Sequence, residues 1–377
     1  MSSPTLDRRR RHTLGDILHE RTNFQFIQRA WRWGLLSGLM LFVSVASLGI
    51  SGLNRSIDFT GGISRTVRVE GTAPPVEDVR DALRPLGQSG AKITLLADRT
   101  TGVESIVVQF DEVPPAERRA ITAVLADFGQ IVERTEVSAT WGATVTEKAL
   151  VALAVFFALI AAYLTFRFEL KMAIAALAAV VHDIIITAGV YSVLGFEVAP
   201  STVIAFLTIL GFSLYDTVVV FDKVSENTPS VGAERGDTYS LMVNRSMNQV
   251  LMRSLNTSFV ALLPVVSLII VGTVLFGATT IQTFALALLV GLAIGAYSSI
   301  FVATPLLAKM KESEPRYRAL RERSEGQRAR GDVDVLAPPG GTSAVDQDAA
   351  PGAGKPAPRP SGAVAPRPRQ QRRKRRR

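Results

Sequence analysis

The chain has 377 residues, of which 47% are hydrophobic and 20% charged, and its mean hydropathy is +0.25; an ordinary soluble enzyme is thereby disfavoured, and lipid is expected to solvate much of it. The absence of cysteine excludes disulfides, thiolate catalysis and zinc–thiolate centres. The net charge of +9 lies at the two ends: residues 1–32 sum to +4 and 309–377 to +10, against −3 for 51–146 and −2 for 147–308.

Residues 1–32 form a basic N-terminal segment with the cluster Arg8–Arg11. Arg29 and Arg32 precede the first apolar run, Gly34–Leu53, whose 20 residues match the length of a spanning helix. The long leading segment and the length of the run argue for a retained helix, 33–53, over a cleaved signal. Residues 54–146 are too long and too patterned for a loop. A strand at Thr66–Glu70, a helix at Val76–Leu86, strands at Lys92–Leu96 and Ser105–Phe110 about a turn at Thr101-Gly102, a helix at Ala116–Phe128 and a strand at Ile131–Val137 are predicted. The order β-α-β-β-α-β is that of a ferredoxin-like domain.

Five further apolar runs follow within 147–308: Ala149–Phe166, Met172–Leu194, Val198–Phe221, Leu255–Phe276 and Phe284–Leu307. Lys and Arg near span ends fall in the loop with Arg167 and Lys171, in the segment 222–252 with its neighbour Arg253, and in the tail, whereas the turns Gly195–Pro200 and Gly277–Gln282 carry none. The positive-inside rule then places both termini in the cytoplasm and the ferredoxin-like domain outside. From about Gly326 the tail 309–377 turns to Pro, Gly, Ala and Arg and is expected to be disordered. Its terminal run of Arg and Lys at 372–377 has two readings, a lipid or nucleic-acid contact and a solvated tail that reinforces topology; nucleic acid is not expected as a partner.

Ionisable groups within the spans carry the functional expectation, because a charge near mid-bilayer costs at least about 2.5–3.5 kcal/mol and must face protein or water. Asp216 stands first, toward the inner half of the fourth span. Arg253, about one turn into a fifth span expected to begin near Val250, is its candidate counter-charge; its alternative is a snorkelling anchor. His182 and Asp183 near the middle of the third span read equally as a proton relay and as a packing pair in which Asp183 bonds His182 or a hydroxyl such as Thr208. Asp222 reads as a solvated span-end acid. Gly291 and Gly295 permit close helix approach. No phosphate-cradling loop, HExxH motif or Ser/His/Asp triad is visible, and three histidines limit any metal site. No cofactor is expected, and an energy source would be an ion gradient or a partner.

Several ordered motifs resemble the SecF branch of the SecD/SecF family, which is related to the RND transporters. They are Asp58-Phe59-Thr60-Gly61-Gly62 after the first span, Arg167-Phe168-Glu169, His182-Asp183, the stretch 211–227, Arg253-Ser254-Leu255-Asn256-Thr257-Ser258, and Tyr297-Ser298-Ser299 in the last span. The resemblance covers roughly 33–308. It implies a bacterial plasma-membrane, multi-pass subunit, not an enzyme, that pairs with SecD and uses the proton motive force to promote translocation of preproteins through SecYEG, with a YajC-type subunit as a further partner. It also implies that Asp216 and Arg253 take part in proton transfer. Where the family usually has Asn before that acid, this chain has Tyr215. The rival readings are an RND-type exporter of lipid or small molecules and a passive translocon scaffold.

Overall fold

The computed structural model describes residues 24–97, 104–233, 237–275 and 279–329. The cluster Arg8–Arg11, the turn at Thr101-Gly102 and the tail from 330 lie outside the described residues. Six helices among the described residues are long and apolar enough to cross a membrane. They are α1 (Ala30–Ile50), α5 (Ala139–Arg167), α6 (Leu170–Leu194), α7 (Pro200–Asn227), α8 (Tyr239–Ile269) and α9 (Thr279–Ser298), the last prolonged by a π-helical segment, Ser299–Ala303, and by α10 (Thr304–Glu312).

Between α1 and α5 lies the α+β domain. A two-residue strand β1 (Asn54–Arg55) and a single helical turn α2 (Ile57–Thr60) lead into β2 (Gly62–Val69), α3 (Val76–Leu83), β3 (Lys92–Ala97), β4 (Glu104–Phe110), α4 (Pro115–Ala126) and β5 (Gln130–Val137). The sheet order is β3-β4-β2-β5 with every neighbour antiparallel, the expected ferredoxin-like topology. Alternation along β2 and β4 turns Ile63, Val67, Ile106 and Val108 inward, where Val79 and Leu83 of α3 and Ile121 and Leu125 of α4 cover them. Each such buried side chain contributes about 1.5–3 kcal/mol. Pro115 at the first position of α4 supplies the fixed φ that opens a helix.

In the spans apolar burial against lipid gains little, and small residues let helices approach. Gly291 and Gly295 of α9 do this against α7: a Cβ at Gly291 would lie 2.3 Å from Ile209 Cδ1, and one at Gly295 2.9 Å from Ser213 Cβ. The alanines 173, 175, 176 and 179 of α6 are likewise buried. α6, α7 and α9 form the centre, whereas α1, α5 and α8 present most of their surface outward.

Two expectations are revised. α8 begins at Tyr239, well before Val250, with the Thr238 hydroxyl accepting from the Leu241 amide at 3.3 Å. The apolar count missed these turns because their inward face is polar. Asn244 and Asn248 accept from the backbone amides of Phe26 and Phe24 at 2.8 and 2.9 Å and so dock the segment before α1. At the other end α11 (Pro315–Ala329) continues through Gly326, where disorder was expected.

Candidate functional site

The centre of the bundle holds two carboxylates. Asp183 is almost fully buried on α6 and is held from three sides: its Oδ2 accepts from Ser213 Oγ of α7 at 2.5 Å and from Ser298 Oγ of α9 at 2.8 Å, and its Oδ1 meets His182 Nδ1 at 3.1 Å. Asp216, one turn beyond Ser213 on the buried face of α7, accepts from Ser299 Oγ at 2.5 Å. Consecutive serines thus serve different acids on different helices. Ser299 opens the π-helical segment, a local change of winding found often at functional positions.

His182 is 5% exposed. Its ring stacks on Tyr297 with centroids 6.4 Å apart, and the Tyr297 hydroxyl reaches Ser37 Oγ at 2.9 Å on α1. His182 Nε2 is buried without a hydrogen-bond partner among the described residues.

Arg253 is not brought to Asp216. It stands exposed on the outer face of α8, with no ion pair to that acid among the described residues. Its neighbours Val250, Leu251 and Ser254 take the buried face of α8 instead. Thr208 is also removed from the site: it is exposed and bonds its own helix at Ile204 O, 2.9 Å away. Asp222 forms a half-exposed ion pair with Arg167 at 2.6 Å.

The Asp58–Gly62 motif makes a joint. Ser56 Oγ donates to Asp58 Oδ2 at 3.1 Å, Phe59 is buried, and the Thr60 hydroxyl bonds Ser56 O at 3.2 Å. Gly61, at φ +75°, leaves no room for a side chain, since a Cβ would stand 2.6 Å from Ala139 Cα at the start of α5. On the other flank β1 pairs in parallel with β6 (Glu197–Val198) in the α6–α7 turn. Glu197 accepts there from Lys92 Nζ at 2.8 Å and Gln109 Nε2 at 3.3 Å. The sheet domain is therefore fastened to the turn between the two helices that carry Asp183 and Asp216.

Sequence reasoning assigned no role to Ser213, Ser298, Ser299, Tyr297 or Glu197. Hydroxyls in spans commonly bond their own preceding turn, as Thr208 does, so their presence alone does not point to an acid.

The fold and site define a six-span α-helical membrane protein with a ferredoxin-like domain between its first two spans and a pair of buried carboxylates at its centre. The family model for the C-terminal part of the protein export membrane proteins SecD/SecF matches residues 120–313, and that for the SecD/SecF GG motif matches 46–73. The protein translocase subunit SecF of Streptomyces coelicolor is 39% identical over 329 residues, 85% of each chain. SecF of Mycobacterium tuberculosis is 41% identical over 300 residues, covering 77% of this chain and 67% of the relative. The crystal structure of SecDF, a translocon-associated membrane protein from Thermus thermophilus, superposes with a TM-score of 0.69 at 32% identity over 78% of this chain. This chain spans 39% of that longer one. The chain belongs to the SecF family of protein translocase subunits.

Proposed function

We propose that the chain works with SecD in the bacterial plasma membrane, using the proton motive force to promote passage of preproteins through SecYEG, with both termini cytoplasmic and the ferredoxin-like domain outside. The observation that carries this reading is Asp216, a carboxylate buried in the bundle whose hydrogen-bond partner is a hydroxyl and not a cation. An ionisable group so placed is a candidate proton site, because gaining or losing a proton changes what its helix holds on to. A potential of ~100 mV supplies about 2.3 kcal/mol per charge moved, enough to bias a two-state equilibrium by some tens-fold.

Arg253 supports the pairing with SecD. An exposed guanidinium within a spanning helix needs a counter-charge or a water-filled surface, and this chain offers it no acid among the described residues. A partner subunit lying against α8 would supply one and would cover the apolar faces of Phe259, Val260 and Leu263. The longer SecDF relative, of which this chain matches about two fifths, is consistent with such a partner. Movement of α6 and α7 would reach the ferredoxin-like domain through β1, β6 and Glu197 and tilt it against an emerging polypeptide.

Asp216→Asn tests the reading in vesicles holding this chain with SecD and SecYEG. Assembly with SecD should persist while gradient-dependent stimulation of export disappears. Unchanged export kinetics would overturn the proton role, and a stable, active chain purified without a SecD-like subunit would overturn the partnership.

A further inference from the structure

A cavity of about 830 Å³ opens between α1, the first half of α6, and the π-helical segment with α10. Its walls are largely apolar, from residues such as Leu41, Ala178, Phe301 and Leu306, with Ser37 and His182 at its floor and Lys309 at its mouth. Gly34 and Gly38 line it too, and a Cβ at either would meet nothing within 4 Å. Two glycines one turn apart commonly mark a close helix contact, yet here nothing among the described residues fills the space they leave.

The cavity is one leaflet deep. From Trp31 to Leu41, both in its lining, α1 advances about 15 Å, half of the ~30 Å hydrocarbon core. Beyond Leu41 the wall closes onto α6: a Cβ at Gly189 would lie 2.2 Å from Ser44 Cβ, and the Ser47 and Ser192 hydroxyls share a hydrogen bond of 2.8 Å. A spanning helix of another subunit needs an opening along the whole span. A hydrocarbon chain entering from one side needs only this half, and the volume falls within the roughly 300–1,000 Å³ of small-molecule sites.

The mouth carries surplus positive charge. Arg321 is engaged by Glu325 at 2.9 Å and by Glu312 at 3.4 Å, and Glu312 also accepts from the Ser240 amide at 3.3 Å. Lys309 is exposed and makes no ion pair among the described residues, and the same holds for Arg29 and Arg32 at the adjoining end of α1. Trp31, exposed between those two arginines in sequence, is a residue type enriched at headgroup level. We infer that this cavity binds one membrane phospholipid with an anionic headgroup, an acyl chain lying between α1 and α6 along Gly34 and Gly38 and the phosphate meeting Lys309. The uncommitted cations favour an anionic over a zwitterionic headgroup.

The full chain purified in detergent tests this with phosphatidylglycerol carrying a photoreactive diazirine on one acyl chain. Adducts mapped by mass spectrometry should concentrate at Leu41 and Ala178 over the outward-facing Leu35 and Leu39. Unlabelled phosphatidylglycerol should compete for them about fivefold better than phosphatidylcholine. Lys309→Gln, at an exposed position, should remove that advantage and leave competition by phosphatidylcholine unchanged. Gly38→Leu, which fills the groove, should remove the adducts. Adducts no denser at Leu41 and Ala178 than at Leu35 and Leu39, or persisting in Gly38→Leu, would overturn the site. Equal competition by the two lipids in the wild type would overturn the anionic headgroup. Absence of lipid adducts, with loss of a co-purifying subunit in Gly38→Leu, would give the cavity to a protein helix instead.

Discussion

Ser299 donates to Asp216 across 2.5 Å from the first residue of a π-helical segment, while its neighbour Ser298 donates to Asp183 across 2.8 Å. One short stretch of the last span therefore contacts both acids. A carboxylate accepts from each hydroxyl, whereas a protonated acid can donate instead.

Ser299→Ala removes the hydroxyl that donates to the Asp216 carboxylate. Leaving a buried polar group without its hydrogen-bond partner costs about 1–3 kcal/mol. Gradient-driven export should fall without vanishing and its pH profile should shift, whereas Ser299→Thr, which keeps the hydroxyl, should restore both. A pH series of export rates in vesicles measures this.

Gly291→Val places new atoms where Ile209 already lies, since its Cβ would stand 2.3 Å from Ile209 Cδ1. Overpacking of this kind costs about 1–3 kcal/mol. The variant should lower the melting temperature of the detergent-solubilised protein, and Ile209→Ala in the same chain should recover part of the loss.

Gly61→Ala combines a positive φ with a clash against backbone, Ala139 Cα at 2.6 Å, which cannot move as a side-chain tip can. It should impair accumulation of the protein more than Gly38→Ala, whose added Cβ meets nothing within 4 Å. Quantitative immunoblotting of membranes compares the two.

Glu197→Ala removes the acceptor shared by Lys92 and Gln109. Amide exchange should accelerate at 54–56 and 197–198, where β1 meets β6, while the sheet interior around Val67 and Val108 stays protected. Exchange mass spectrometry resolves these peptides.

Glu136 lies outside the spans, and its hydrogen bond from the buried Arg65 at 2.5 Å holds its carboxyl below the usual 4.5. Arg118 adds a second contact. With the folded value depressed, the contribution of the pair is full above pH 4.5 and is lost as pH falls through the folded value. Glu136→Gln should reduce protection of β2 and β5 near neutral pH, and the difference from the wild type should close on acidification.

The six apolar runs and the β-α-β-β-α-β order were legible along the chain, because spanning length and strand alternation are local properties imposed by bilayer thickness and by the pleat. The same holds for His182, Asp183 and Asp216, whose cost in lipid marks them wherever they stand in a span. The start of α8 was not legible: Asn244 and Asn248 stand outside any apolar run, and only the segment at Phe24–Phe26 supplies the backbone partners that make them part of a buried helix face. Nor was the direction of Arg253, since which face of α8 turns inward is decided by packing that buries Val250, Leu251 and Ser254 and leaves Arg253 outside. Which hydroxyls meet which acid depends on how α6, α7 and α9 approach one another over Gly291 and Gly295. That approach joins residues more than eighty positions apart, as in Ser299 to Asp216, and only the packed bundle brings them within a hydrogen bond.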